Sequence, residues 1–285
     1  MAKWTTAEVG DLSGRTIVIT GASSGIGLVT ARELARAGAR VVLAVRNPDK
    51  GQRVAAEIAG DTEVRELDVA SPSSVRRFAA CWSGDIDVLI NNAGIMDIPL
   101  TRTVEGLELQ TATNYFGPFL LTNLLLPFVT DRVVSVTSQL HRMGTVDLDD
   151  LNWVTRPYKA MAAYQASKLE LVLFSLELQR RLNEEPTTVR SVLAHPGIAK
   201  TNLVVHSPSN AIMKLGLLLN DAEHGALPTL FAATQEVQGN AYVGPRGLGS
   251  IKGYPKVRKP STRGLDADLA ARLWAATTQL VESHS

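Results

Sequence analysis

The strongest constraint on this chain is a repeating order. Short apolar runs alternate with longer helical patterns from one end to the other. The runs are Arg15–Thr20 (RTIVIT), Val41–Val45 (VVLAV), Glu63–Val69, Asp87–Asn91 (DVLIN), Arg132–Thr137 (RVVSVT), Val189–Ala194 (VRSVLA) and a short Ala241–Gly244. Between them lie helical patterns ending near Ala37, over Asp49–Ala59, from Pro72, and over Leu107–Pro127, Met161–Leu182, Asp221–Gln235 and Asp266–Val281. Strands covered on both faces read as near-continuous apolar runs, whereas strands with one wet face alternate. The order therefore predicts βαβ units in an α/β fold: a doubly wound, mainly parallel, seven-stranded sheet with helices on both faces. No linker, repeat or low-complexity tract interrupts it, so residues 1–285 are expected to form one domain. The stretch at about 245–263 is rich in Gly, Pro and basic residues and is expected as a surface loop.

Composition removes several classes of function. Twenty-nine Lys+Arg against 28 Asp+Glu leave a net charge of +1, without the basic footprint of a nucleic-acid binder. Cys81 is the sole cysteine, so no internal disulfide or Cys-rich zinc site can form; a reducing, cytoplasmic setting is expected. The N-terminal MAKWTTAEVGDLSGR carries Glu8 and Asp11 and reads as neither signal peptide nor anchor. The apolar stretches at Leu120–Leu126 and Leu215–Leu219 are too short to span a bilayer. His141, His195, His206, His224 and His284 do not stand at ligand spacing, and no metal is expected.

Three motifs carry chemistry. The first is TGASSGIG (Thr20–Gly27), between a strand and a helix. Glycines there permit a tight turn and let the backbone approach a phosphate, while the helix that follows aims free N–H groups at it. An ordinary βα turn would use glycines too; the βαβ context favours Gly21, Ser23, Ser24, Gly25, Ile26 and Gly27 as a dinucleotide cradle. The second is Val45-Arg46-Asn47 at the end of the second run. An NAD site usually places an acid near this point to bind the ribose 2′-hydroxyl. Here an apolar residue is followed by a guanidinium, which pairs well with a 2′-phosphate. NADP(H) is therefore the expected cofactor, with NAD(H) left open. The third is Tyr164-Gln165-Ala166-Ser167-Lys168, whose four-residue spacing puts Tyr164 and Lys168 on one helix face. A nearby ammonium favours a phenolate and makes tyrosine a usable acid–base group.

Together these pieces resemble the short-chain dehydrogenase/reductase family. LDV (Leu67–Val69), NNAG (Asn91–Gly94), TNYFGPFLLT (Thr113–Thr122), VVSVTS (Val133–Ser138) and HPGIAKT (His195–Thr201) complete the family order. VVLAVRN (Val41–Asn47), the ending LAARLWAATTQLV (Leu269–Val281) and the insert around Asp147–Pro157 are most similar to its retinol-dehydrogenase-like, NADP-preferring group. The resemblance implies an oxidoreductase moving a hydride between NADP(H) and a carbonyl/alcohol pair. It implies that Ser138 binds the substrate oxygen and Tyr164 transfers the proton. Lys168 would tune Tyr164 and hold the nicotinamide ribose, and Asn114 would support a proton relay. It further implies that Asn47, Asp68, Val69, Asn91, Ala93 and Gly94 lie along the adenosine half, and Pro196, Gly197, Ile198 and Thr201 along the nicotinamide and diphosphate.

Position after these motifs nominates Ile95, Met96, His141, Met143, Tyr158 and Leu203 as substrate-lining, with a lid at about 202–220. Most are apolar, so an apolar small-molecule substrate is expected. Nucleic acid and a membrane span are not expected; a homo-oligomer is left open. The alternative reading is a non-catalytic NADP(H)-binding regulator on the same fold.

Overall fold

β1 (Thr16–Thr20) sits in the middle of the sheet, flanked by β2 (Arg40–Val45) and β4 (Ile86–Asn91). Outward from them lie β3 (Thr62–Glu66) on one side, then β5 (Val129–Val136), β6 (Arg190–Ala194), β7 (Tyr242–Pro245) and β8 (Pro255–Arg258) on the other. The first seven strands are parallel, and β8 runs antiparallel to β7. The computed structural model describes residues 3–197 and 221–284. The expected lid at 202–220 lies outside the described residues.

The helices cover both faces. α1 (Gly25–Arg36), α2 (Pro48–Ala55) and α7 (Ala222–Thr234) lie on one side. On the other lie α3 (Pro72–Ala80), α4 (Leu109–Thr111), α5 (Gly117–Leu125), α6 (Ala160–Leu182) and α8 (Ala267–Ser283). Strand side chains serve the two layers in turn: Ile17 and Ile19 face the first, Val18 the second. Both faces of each inner strand are thus dry, which explains the unbroken apolar runs. No helix among the described residues is long and apolar enough to cross a membrane.

Two expectations are corrected. Among the described residues the sheet has eight strands, because Pro255–Arg258, inside the stretch expected as loop, pairs with β7. Its sequence, PKVR, has prolines close by and two cations, with Lys256 and Val257 exposed. It is an edge strand, and such strands lack the apolar signal. The expected helix Leu107–Pro127 is interrupted. Ala112–Phe116 forms a π-helical turn in which the Gly117 N–H reaches Ala112 O, five residues back. Pro118 has no N–H to return to the Asn114 carbonyl, so regular helical bonding fails at that point. Gly117 also lies hard against the loop after β3: a Cβ there would stand 1.8 Å from Val69 O.

That approach gives a stability test. Alanine is the better helix former by about 1 kcal/mol. Overpacking against fixed backbone costs about 1–3 kcal/mol or more. The second effect should win, so Gly117→Ala should lower the urea midpoint at unchanged slope. A raised midpoint would mean that the Val69 segment yields freely.

Candidate active site

β1 and β4 are neighbours whose following connections diverge to opposite faces, which opens a crevice beyond their carboxyl ends. Two turns meet in it. Gly21 has φ +68°, and a Cβ on it would lie 2.9 Å from the Ala93 Cα. A Cβ on Gly27 would lie 2.4 Å from Asn92 Nδ2 and 2.6 Å from Gly21 O. Both positions therefore require glycine. The Thr20 hydroxyl oxygen accepts from Asn92 N and Ala93 N, each at 3.0 Å, and Asn92 Nδ2 donates to Thr20 O at 2.8 Å. Asn92 is a site residue that the sequence reading passed over, although NNAG contained it. Ser24 precedes α1 in an extended conformation and does not cap it with its side chain. The first N–H groups of α1 thus face the crevice with the positive end of the helix dipole.

Along the expected adenosine side, Arg46 is exposed and Val45 is buried. Arg46 has no ion-pair partner among the described residues. Asn47 is an N-cap, its Oδ1 accepting from Lys50 N at 2.9 Å, so its side chain is committed to α2. Asp68 accepts from Ala70 N at 3.0 Å, and Val69 is buried. Asn91 is corrected. It is 1% exposed and its Nδ2 donates to Thr122 Oγ1 at 2.9 Å, into the layer between β4 and α5 and away from the crevice.

The residues expected as the acid–base set stand where β5 ends against α6. Ser138 is half-buried, and its Oγ accepts from Leu140 N at 3.2 Å. Tyr164 packs against Met96, Leu140 and Met161. Burial pushes its phenol up to about 12, and the hydroxyl of Ser138 acts in the opposite direction. Lys168 lies one turn on, with Nζ 6.0 Å from the Tyr164 ring centre and 3.1 Å from Val136 O, to which it donates. Burial lowers its ammonium to about 8. At neutral pH, then, Tyr164 holds its proton and Lys168 its charge. Thr137 Oγ1 donates to Lys168 O at 2.9 Å, a second tie between β5 and α6.

Asn114 comes from the π turn and is fully buried. Its Oδ1 accepts from Ile95 N, and its Nδ2 donates to Ile95 O, all at 2.9 Å, and to Ser167 Oγ at 3.0 Å. Ser167 Oγ in turn donates to Tyr164 O at 2.8 Å. Gly94 fits between them: a Cβ on it would lie 3.1 Å from Asn114 Oδ1 and 3.3 Å from Lys168 Nζ. The crevice is therefore lined by backbone where a flat ring and a sugar could approach Lys168. That bare backbone and the uncapped α1 fit a dinucleotide.

Of the expected substrate-lining residues, Met96 touches Tyr164 and Ile95 is held by Asn114. Met143 is 64% exposed, with Sδ 3.9 Å from Gln165 Nε2. The Tyr158 hydroxyl accepts from Gln110 Nε2 at 2.7 Å and lies 3.0 Å from Glu108 Oε1. Burial and the Glu108 carboxylate hold that phenol above its ordinary range, so Tyr158 pins the insert to α4. His141 is corrected outright. It is fully buried, Nδ1 donates to Ser138 O at 2.7 Å, and Nε2 accepts from Ser261 N at 3.0 Å. No ring nitrogen is left for a substrate, and burial lowers its pKa to about 4. Gly197 has φ +74° and donates its N–H to His195 Nδ1 at 3.2 Å, just after Pro196. Ile198, Thr201 and Leu203 lie outside the described residues. Among those described, no group of three or more His, Cys, Asp or Glu could hold a metal ion.

Known proteins resemble this chain. The family model described as short chain dehydrogenase matches residues 15–211. Human retinol dehydrogenase 13 is 39% identical, over 95% of this chain and 85% of its own. Mouse polyprenol dehydrogenase is 38% identical, over 94% of this chain and 84% of its own. A crystal structure of a Mycobacterium paratuberculosis protein superposes with a TM-score of 0.88 at 48% identity, covering 99% of this chain and 98% of that one. The family match takes in both crevice turns, Ser138, Tyr164 and Lys168, and the chain belongs to the short-chain dehydrogenase/reductase family, oxidoreductases of alcohols and carbonyl compounds that bind NAD(P)(H).

Proposed function

We propose that this chain is an NADP(H)-dependent oxidoreductase of apolar alcohol/carbonyl pairs, with Tyr164 as general acid and base. The observation that carries this reading is the meeting of Gly94, Asn114, Lys168 and Tyr164 at the bare end of the crevice. The nicotinamide cofactor, when bound, supplies or accepts the hydride. Gly21–Gly27 and the α1 N-terminus cradle its diphosphate, and Arg46 takes the 2′-phosphate. Asp68, Val69, Ala93 and Gly94 border the adenosine half. Pro196 and Gly197 border the nicotinamide half. Lys168 holds the ribose hydroxyls with the donors not spent on Val136 O.

Ser138 Oγ keeps its own proton for the substrate oxygen, because Leu140 N occupies an acceptor position. In reduction, Tyr164 gives its phenolic proton to that oxygen; burial keeps the proton on Tyr164 until then. In oxidation it takes the proton back. The Lys168 charge favours the phenolate. Asn114 links Ile95 and Ser167, and so fixes the floor beneath this transfer.

The substrate side supports an apolar partner. Met96, Leu140 and Met161 surround the Tyr164 ring. Apolar walls reward buried area at about 25 cal/mol per Å². None of these three side chains could pair the charge of a small ketoacid. The two relatives bear the names of retinol and polyprenol, both apolar alcohols.

Three experiments test this. Tyr164→Phe should cut turnover by about two to four orders of magnitude with little change in cofactor affinity. Lys168→Ala should impair both. Near-normal turnover of Tyr164→Phe would remove the acid–base assignment. NADPH should bind more tightly than NADH in a fluorescence titration, and Arg46→Asp should flatten or reverse the order; equal affinity in the unmutated protein would overturn the role of Arg46. Kinetics on a long-chain or ring ketone against a short ketoacid should give the higher kcat/KM to the former. The opposite ranking would mean that a cation faces the substrate.

A further inference from the structure

His141 stands three residues after Ser138 and has both ring nitrogens engaged. Ser138 O can only accept, so Nδ1 carries the proton; Ser261 N can only donate, so Nε2 carries the lone pair. One neutral tautomer satisfies both. The imidazole thereby joins the carbonyl of Ser138 to the backbone amide of Ser261, 120 residues beyond His141 in sequence.

It is not the sole tie. The turn Gln139–Met143 is held by the C-terminal stretch at three further points. Tyr242 OH donates to Gln139 Oε1 at 3.2 Å. Arg142 Nη2 donates to Lys259 O at 2.7 Å, and Arg263 Nη1 donates to Gly144 O at 2.9 Å. The His141 ring meets Tyr242 edge-on at 5.5 Å between centres, and Tyr242 stacks on His195 at 5.1 Å. Behind the turn, Gly144 is pressed on α6, where a Cβ would lie 2.4 Å from Gln165 O. Residues 242–263 fall beyond the part of the chain that the family model matches, which ends at 211.

We infer that residues 242–263 clamp the turn after Ser138, and that His141 is the positioning residue through which the clamp sets the direction of the Ser138 hydroxyl. The Ser138 carbonyl accepts twice from His141, from Nδ1 and from the backbone N at 3.0 Å. That double bond to one residue fixes the peptide following Ser138 and keeps Leu140 N within reach of Oγ. The hydroxyl proton is then left to point toward the substrate oxygen. A carbonyl held by a short, satisfied, partly buried hydrogen bond is a stiff support. The inference rests on the proposed role of Ser138.

The test is a double-mutant cycle with a second readout that needs no turnover. His141→Phe keeps a ring against Tyr242 and removes both hydrogen bonds. It should lower kcat/KM about tenfold to a hundredfold while the Kd for the nicotinamide cofactor stays within about twofold. In a Ser138→Ala background the same change should cost less than about threefold, because the hydroxyl it directs is gone. Backbone hydrogen exchange over residues 138–144 should speed up at least about tenfold in His141→Phe. Should His141→Phe fail to fold, Tyr242→Phe combined with Arg263→Ala releases two other points of the same clamp. The pair should show a smaller loss, about fivefold, that again vanishes without Ser138. An equal loss in both backgrounds would overturn the positioning role, and so would an unchanged kcat/KM. Unchanged exchange over 138–144 would overturn the clamp itself. If the unmutated protein turns over no carbonyl substrate, the proposed function fails, and exchange still decides the clamp.

Discussion

The hydroxyl of Thr20 is the point on which the rest of the site depends. It receives the N–H groups of Asn92 and Ala93, and so binds the turn after β4 to the turn after β1. The consequence runs onward through the backbone. With Asn92 and Ala93 fixed, Gly94 and Ile95 follow, and Asn114 grips Ile95 at both its N–H and its carbonyl. Asn114 passes the constraint to Ser167, and Ser167 to the carbonyl of Tyr164. A series of partly and fully buried hydrogen bonds thus runs from the turn after β1 to the helix that carries Tyr164 and Lys168. Such a series is stiff because any broken member would leave a buried polar group without a partner. The π turn belongs to this logic, since it supplies Asn114.

Burial sets the charge states at the other end of that series. The same dry surroundings push Tyr164 up and Lys168 down, since each is held away from its charged form. Near neutral pH the two effects leave a neutral phenol beside a cation. Under the role proposed for Tyr164, its proton is available and the Lys168 charge that would stabilise its loss is already in place. Glu170, two residues beyond Lys168, is also buried and pushed up to about 8, but it lies on another face of α6 among the core side chains.

Much of this was legible in the sequence, for physical reasons. Strands dry on both sides must be apolar throughout, so the inner strands announced themselves. Gly21 and Gly27 had to be glycine because backbone and side chains approach to under 3 Å. Tyr164 and Lys168 were legible through helical spacing. What failed was direction. Asn91 and Asn92 are adjacent and identical in type, but strand alternation sends Asn91 into the core and leaves Asn92 at the crevice. His141 follows Ser138 closely, yet nothing local says that its ring turns inward to meet Ser261. β8 failed because an edge strand of four residues with two cations resembles a loop.

At high protein concentration β8 also protects an edge of the sheet. The sheet ends in β3 on one side and β8 on the other, and any open strand edge offers a template for another chain. Both edges here are short. β3 carries Glu63, Arg65 and Glu66, and β8 carries Lys256 and Arg258, with prolines at 255 and 260. An incoming strand would have to bury those charges and align with residues that lack an N–H. The antiparallel turn-back at β8 therefore does more than add a strand: it replaces the apolar edge that β7 would present with one that resists edge-to-edge aggregation.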